Sequence, residues 1–325
     1  MRYSFIALGI IASLIAMSCD KQDVAMADGF PADGVVRIET ASGPVAANFA
    51  DGSASLTTSA GSVSAPSSLG LFLDYGASDK YSMSNVCWDR KTPGDWISHE
   101  MMLWKNAKTE VGVYSYSPYI VGATVSAVSF NIPSDQSKGT EVADLLWFAE
   151  PSFIPEDETK GLKDSKLAIS FKHALVKLKV RLSFGGRIDK GLTVKEVRLK
   201  NTTSQVSCDL TAAGAVTPGA SMSDIRMHAL GDNCYEAVFW PGSGQKAGAR
   251  MLTVVMSSGG DFDLTIDEDF YFKAGKAYTF EVVLDQKYGA NSRGVSRAGT
   301  MTAGSDDIDP DWGRIIDLGI FDLCE

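Results

Sequence analysis

Between positions 176 and 184 the chain alternates without a break. Val176, Leu178, Val180, Leu182 and Phe184 fall on one parity, and Lys177, Lys179, Arg181 and Ser183 on the other. Successive side chains of an extended strand point to opposite faces, so this pattern specifies a strand with one face in a core and the other in water. Just upstream, Leu167, Ile169, Phe171 and His173 alternate on the opposite parity, with the change falling near Ala174. A slip of one residue turns every side chain to the other face, which predicts a bulge or bend at that point.

The same grammar recurs on both sides of this segment. Short β-forming runs at 69–75, 111–116, 125–132, 145–149, 192–199, 236–240, 251–256, 262–266 and 279–284 are separated by Gly, Pro, Asp and Ser. No stretch repeats apolar residues at helical spacing over three turns, and no βαβ rhythm appears. Many short, turn-punctuated strands predict an all-β protein built of antiparallel sandwiches. With 325 residues, 45% of them hydrophobic, the chain is long enough for about two such units. The best linker is 156–165, which follows Pro151 and Pro155 and carries six charged side chains. It divides the chain into an N-terminal unit, 35–155, and a C-terminal unit, 166–325. Residues 41–68, rich in Ala, Ser, Gly and Thr, read as loops or short edge strands.

The N-terminus has a different character. Arg2 precedes an apolar run from Phe5 to Ile15, followed by Ala16, Met17, Ser18 and Cys19. The run is too short for a membrane span, which needs roughly 20 apolar residues, and fits an export signal over 1–18. Small residues before a cysteine resemble a bacterial lipobox, making Cys19 the predicted lipidation site and 19–34 a tether. Acyl chains at about 0.8 kcal/mol per buried CH₂ would hold the protein to a membrane. The alternative is an ordinary signal peptide with a chance cysteine.

Several function classes lack raw material. Thirty Lys and Arg against 40 Asp and Glu give a net charge of -10, which opposes phosphate backbones, so no nucleic-acid partner is expected. GxSxG, Walker, GxGxxG and HExxH motifs are absent, and only three histidines and five cysteines occur. The reading is therefore no enzyme, with no catalytic, cofactor or metal site. His173 reads as a satisfied core histidine unless the fold brings a carboxylate to it. Asp307, Asp309 and Asp311 resemble the start of a calcium loop, but Trp312 and Leu318 occupy the positions that need Gly and Glu. Cys208 and Cys234 either form a disulfide or remain buried thiols. Six tryptophans suit core packing for most of them or a sugar-stacking surface, for which Trp88 and Trp96, flanking the polar turn 91–95, are the best candidates for an exposed pair.

Five strings carry a more specific signal. In order they are Tyr114-Ser-Tyr-Ser-Pro-Tyr119, Phe130-Asn-Ile-Pro-Ser-Asp-Gln136, Asp144-Leu-Leu-Trp147, Phe171-Lys-His-Ala-Leu-Val-Lys-Leu178 and Phe272-Lys-Ala-Gly-Lys-Ala-Tyr278. Behind a lipobox, they resemble the fimbrillin-like proteins of Bacteroidales over residues 70–285. The resemblance implies a stalk, tip or anchor subunit of a type V pilus, with two transthyretin-like antiparallel β-sandwich domains in tandem after a lipoprotein signal. It also implies surface exposure on the outer membrane and other pilus subunits as partners, with a host or bacterial surface ligand a further one. In that family an arginine-specific protease removes the lipidated segment and first strand, and a strand from another subunit fills the groove. Mapped here, the candidate processing site is Arg37 and the candidate donor strand carries Ile316, Leu318 and Ile320, alternating with Asp317 and Gly319. The competing readings are an uncut edge strand at Arg37, an ordinary final strand at the C-terminus, and a monomeric surface glycan-binding lipoprotein overall.

Overall fold

The computed structural model describes residues 29–40, 53–54, 67–92, 95–185, 191–242, 244–258, 261–266, 269–287, 296–303, 308–309, 313–314 and 320–321. These are strands and loops with one 3₁₀ turn, Glu141–Ala143, and no α-helix among them. Among the described residues no helix is long and apolar enough to cross a membrane.

The alternating segment is the strand Val176–Phe184. It lies inside a six-stranded sheet ordered His228–Gly231, Cys234–Phe239, Val176–Phe184, Ala277–Lys287, Ser296–Ala303, Ile320–Phe321. Val176, Leu178 and Val180 are fully buried, each burial worth about 1.5–3 kcal/mol. Against them packs a four-stranded sheet, Met222–Arg226, Val194–Thr203, Arg250–Met256 and Phe262–Thr265. Its Val197, Leu199, Leu252, Val254 and Leu264 share one core with Leu178, Val180, Phe280 and Val282. Two sheets facing each other over one apolar layer form a sandwich.

The first half centres on a seven-stranded sheet, in the order Ser53–Ala54, Phe171–His173, Leu146–Phe153, Val111–Ser117, Ser68–Asp74, Met83–Thr92, Asp95–Ser98. Its middle strands are buried on both faces, and alternation sorts their side chains. Leu69, Leu71, Leu73, Val111 and Val113 enter one core with Val36, Ile38, Met102, Trp104, Leu167, Ile169 and Phe171. Phe72, Tyr114 and Tyr116 point the other way, into the core shared with the second sandwich. This sheet is the wall between the two cores.

That wall explains the parity change near Ala174. Leu167, Ile169 and Phe171 belong to the first core, whereas Ala174, Leu175 and Val176 belong to the second. Lys172 pairs with Trp147, and four residues later Val176 pairs with Phe239. The chain changes sheet there, so each alternating set addresses its own core. A second crossing runs the other way: Val128–Asn131, from the first half, pairs with Gln205–Asp209 in a three-stranded sheet completed by Ala215–Pro218.

Pairing is antiparallel with two exceptions among the named strands. Val176–Phe184 runs parallel to Ala277–Lys287, from Lys177 opposite Ala277 to Phe184 opposite Leu284, and Ile38–Thr40 runs parallel to Leu167–Ile169. Residues 156–165 are tight turns. The Asp157 carboxylate accepts bonds from the Thr159 and Lys160 amides, and the Leu162 amide donates to the Pro155 carbonyl at 2.8 Å.

One expectation is overturned outright. Trp88 and Trp96 are 3% and 8% exposed and sit in the first core, so they form no surface pair. The turn between them is polar, but on each flanking strand the tryptophan takes the inward parity.

Candidate assembly interface

The segment entering the first strand is gripped from two sides. Along one side the Val36 amide donates to the Met102 carbonyl and the Trp104 amide to the Gly34 carbonyl, both at 2.9 Å, with Val35 opposite Leu103 in antiparallel fashion. Along the other side the Leu167 amide donates to the Arg37 carbonyl at 2.8 Å, and Ile38–Thr40 continues the parallel pairing. Val36 and Ile38 are 3% and 4% exposed, whereas Arg37 between them faces solvent. Period-two burial with backbone pairing on both edges makes residues 34–40 a strand seated in a groove.

The exposed guanidinium of Arg37 is held by Asp33, Nη2 to Oδ2 2.6 Å, with Nη1 to Oδ1 3.0 Å. These bonds, with one from the Val35 amide, draw the Asp33 carboxyl down to about 2. Both partners are open to solvent, so the pair adds little to stability. It orients Arg37 outward. The Arg37–Ile38 peptide itself is tied to Leu167, so a protease reaches it only when the segment frays.

At the other end of the chain, Ile320–Phe321 pairs antiparallel with Ser296–Ala303, Thr302 opposite Ile320 and Met301 opposite Phe321. It is the outer strand of the six-stranded sheet. Ile316 and Leu318 lie outside the described residues, as do Cys19, Asp307, Asp311 and Trp312. The groove wall formed by Met102–Leu103–Trp104 has no counterpart in the sequence reading. Its apolar character was visible, but its pairing with residues 34–36 is a long-range contact that no local pattern encodes.

The fold does bring a carboxylate to His173. Asp144 Oδ2 lies 2.7 Å from its Nδ1, and the histidine is 6% exposed. The pair ties the strand Phe171–His173 to the segment after the 3₁₀ turn, beside the chain's change of sheet, which is a structural placement. Cys208 and Cys234 are both free; burial pushes the Cys208 thiol up to about 12, leaving it inert at neutral pH. Two acidic side chains of the second half are paired at the surface, Asp263 with Arg250 at 3.2 Å and Asp269 with Lys246 at 2.6 Å.

Comparison with known proteins bears on this arrangement. The fimbrillin-like family model matches residues 48–302. No curated protein matches the chain. A crystal structure of a candidate cell adhesion protein from Bacteroides uniformis is similar at TM-score 0.54 and 17% identity, covering 87% of this chain and 99% of that one. Another from Bacteroides ovatus is similar at TM-score 0.51 and 13% identity, covering 81% and 90%. The C-terminally truncated tip fimbrial protein Mfa3 from Porphyromonas gingivalis matches at TM-score 0.40 and 10% identity, covering 74% and 94%. The two Bacteroides structures share the fold, and the family match spans most of the chain. The chain belongs to the fimbrillin-like family, whose members are structural proteins of fimbriae at the cell surface.

Proposed function

We propose that the chain is a pilus subunit, exported as an outer-membrane lipoprotein through Cys19 and assembled by β-strand exchange after cleavage at Arg37. The observation that carries this reading is the seated strand at 34–40. Cleavage after Arg37 would release the carbonyls and amides that pair with Met102, Trp104 and Leu167, and would empty the site filled by Val36. Unpaired backbone in an apolar groove is costly, and a donor strand with apolar residues at every second position restores both the hydrogen bonds and the packing. Ile316, Leu318 and Ile320 of a neighbouring copy have that spacing. Residues 1–18 then serve as the export signal and 19–34 as the tether discarded on maturation.

The test is the N-terminus of protein recovered from the cell surface. Processing predicts a mature chain beginning at Ile38, and in Arg37→Lys an uncut chain beginning at Cys19. Because the Arg37 side chain is exposed and bonds at the surface to Asp33 and the Val35 carbonyl, the substitution is expected to leave the unfolding midpoint unchanged. Recovery of acylated Cys19 alone from the wild-type surface would rule the cleavage out.

Burial of Trp88 and Trp96 removes the stacking pair on which a glycan-binding reading rested. Added oligosaccharide is accordingly expected to leave tryptophan emission unshifted, and a saturable shift would reinstate that reading.

A further inference from the structure

The outermost hairpin of the seven-stranded sheet joins Met83–Thr92 to Asp95–Ser98. Its register places Trp88 opposite Ser98 and Asp89 opposite Ile97, and the His99 amide donates to the Cys87 carbonyl at 2.9 Å. Cys87 and His99 are therefore direct cross-strand neighbours, and Asp89, two residues on from Cys87, shares their face. The intervening Trp88 points into the core. The Cys87 thiol, an Asp89 carboxylate oxygen and a His99 ring nitrogen all lie within 4.8 Å of one another.

From this geometry we infer that Cys87, Asp89 and His99 form a binding site for one divalent ion of the zinc type. A tetrahedral zinc with bonds of about 2.0–2.3 Å sets its donor atoms roughly 3.3–3.7 Å apart. Cys87 Sγ is 3.9 Å from Asp89 Oδ1, close to that spacing. His99 Nε2 is 2.7 Å from Asp89 Oδ2, a hydrogen bond that has to open by somewhat under an ångström. Both side chains are about half exposed, so the adjustment is a small rotation of groups in water. The backbone beneath them stays fixed by the hairpin register.

The donor set selects the metal. Thiolate and imidazole favour zinc and its transition-metal neighbours, whereas calcium and magnesium take oxygen ligands. Thiolate plus carboxylate balance the two positive charges, and His99 binds as the neutral ring. Three protein ligands leave the fourth position to water, on the open side of the hairpin.

Cobalt(II) titration of the full chain tests the site. One equivalent is expected to bind, with a thiolate-to-cobalt absorption in the near ultraviolet that zinc abolishes. Cys87→Ser is expected to eliminate that absorption, and Asp89→Asn and His99→Gln each to weaken binding at least about tenfold, since loss of even an outer-shell partner costs that much. Cys208→Ser and Cys234→Ser should bind like the wild type. All three ligand side chains face outward, and an unchanged far-ultraviolet circular dichroism spectrum verifies folding of each variant. Absence of uptake, absorption persisting in Cys87→Ser, or unchanged affinity in either Asp89→Asn or His99→Gln would overturn the assignment.

Discussion

Deleting residues 315–325 is expected to leave a folded monomer that no longer builds high-mass assemblies. The described core of the second sandwich ends at Leu284, and its central strand Ala277–Lys287 pairs with Val176–Phe184 along nearly its whole length. By contrast, among the described residues Ile320–Phe321 meets its neighbour at two positions, on the outside of the sheet. A short outer strand contributes little to a sandwich whose other pairings are long, yet as a donor it would supply all the main-chain bonds of an assembly contact. The two roles separate cleanly. On an unboiled gel the wild type should show a ladder of high mass, and the truncated chain a single monomer band with native circular dichroism. Ladders that persist would remove the C-terminus as donor, and a truncated chain that unfolds would make it an ordinary closing strand.

What the sequence displayed was local order. The alternation at 176–184 specified a half-buried strand, and the opposed parity at 167–173 marked a discontinuity whose cause was a change of sheet. Periodicity reports which residues share a face, but it is silent on which core that face addresses. The same limit accounts for Trp88 and Trp96. Their nearness to a polar turn suggested exposure, whereas strand parity, readable only once the hairpin register is known, turned both inward. Arg37 stood out because a basic residue sits within a β-like run, and its exposure between buried Val36 and Ile38 follows from that run. The groove that receives this strand joins positions some 65 and 130 residues away, beyond any spacing rule. Cys87, Asp89 and His99 carry no sequence signature for a related reason: the first two are a plain i, i+2 pair, and the third joins them only by cross-strand register.

Gln136→Leu is expected to cost about 2–6 kcal/mol of stability, reckoned as two buried backbone groups left without partners at about 1–3 kcal/mol each. Gln136 is 1% exposed, and its side-chain amide does what a neighbouring strand would do. Nε2 donates to the Val238 carbonyl at 2.7 Å, and the Val238 amide donates to Oε1 at 2.8 Å. Strand pairing on this side of Cys234–Phe239 reaches only from Cys234 to Glu236, so Gln136 closes the edge where His228–Gly231 stops. Its own backbone is fixed by its amide's bond to the Arg226 carbonyl, 3.0 Å, and by the Arg226 amide's bond to Ser134, 2.8 Å. Leucine fills the space and satisfies neither group. Gln136→Glu keeps the shape but sets an oxygen against the Val238 carbonyl, so it should be at least as damaging near neutral pH. Lys138→Ala, an exposed change on the same strap, should be neutral. Urea unfolding midpoints at constant slope measure the cost, and amide exchange at Val238 should accelerate in both Gln136 variants. A loss below about 1 kcal/mol, with Val238 still protected, would mean that another group closes this edge. For a protein proposed to polymerise through one groove, an open second edge offers a competing route to strand pairing, and the Gln136 side chain removes it without adding a strand.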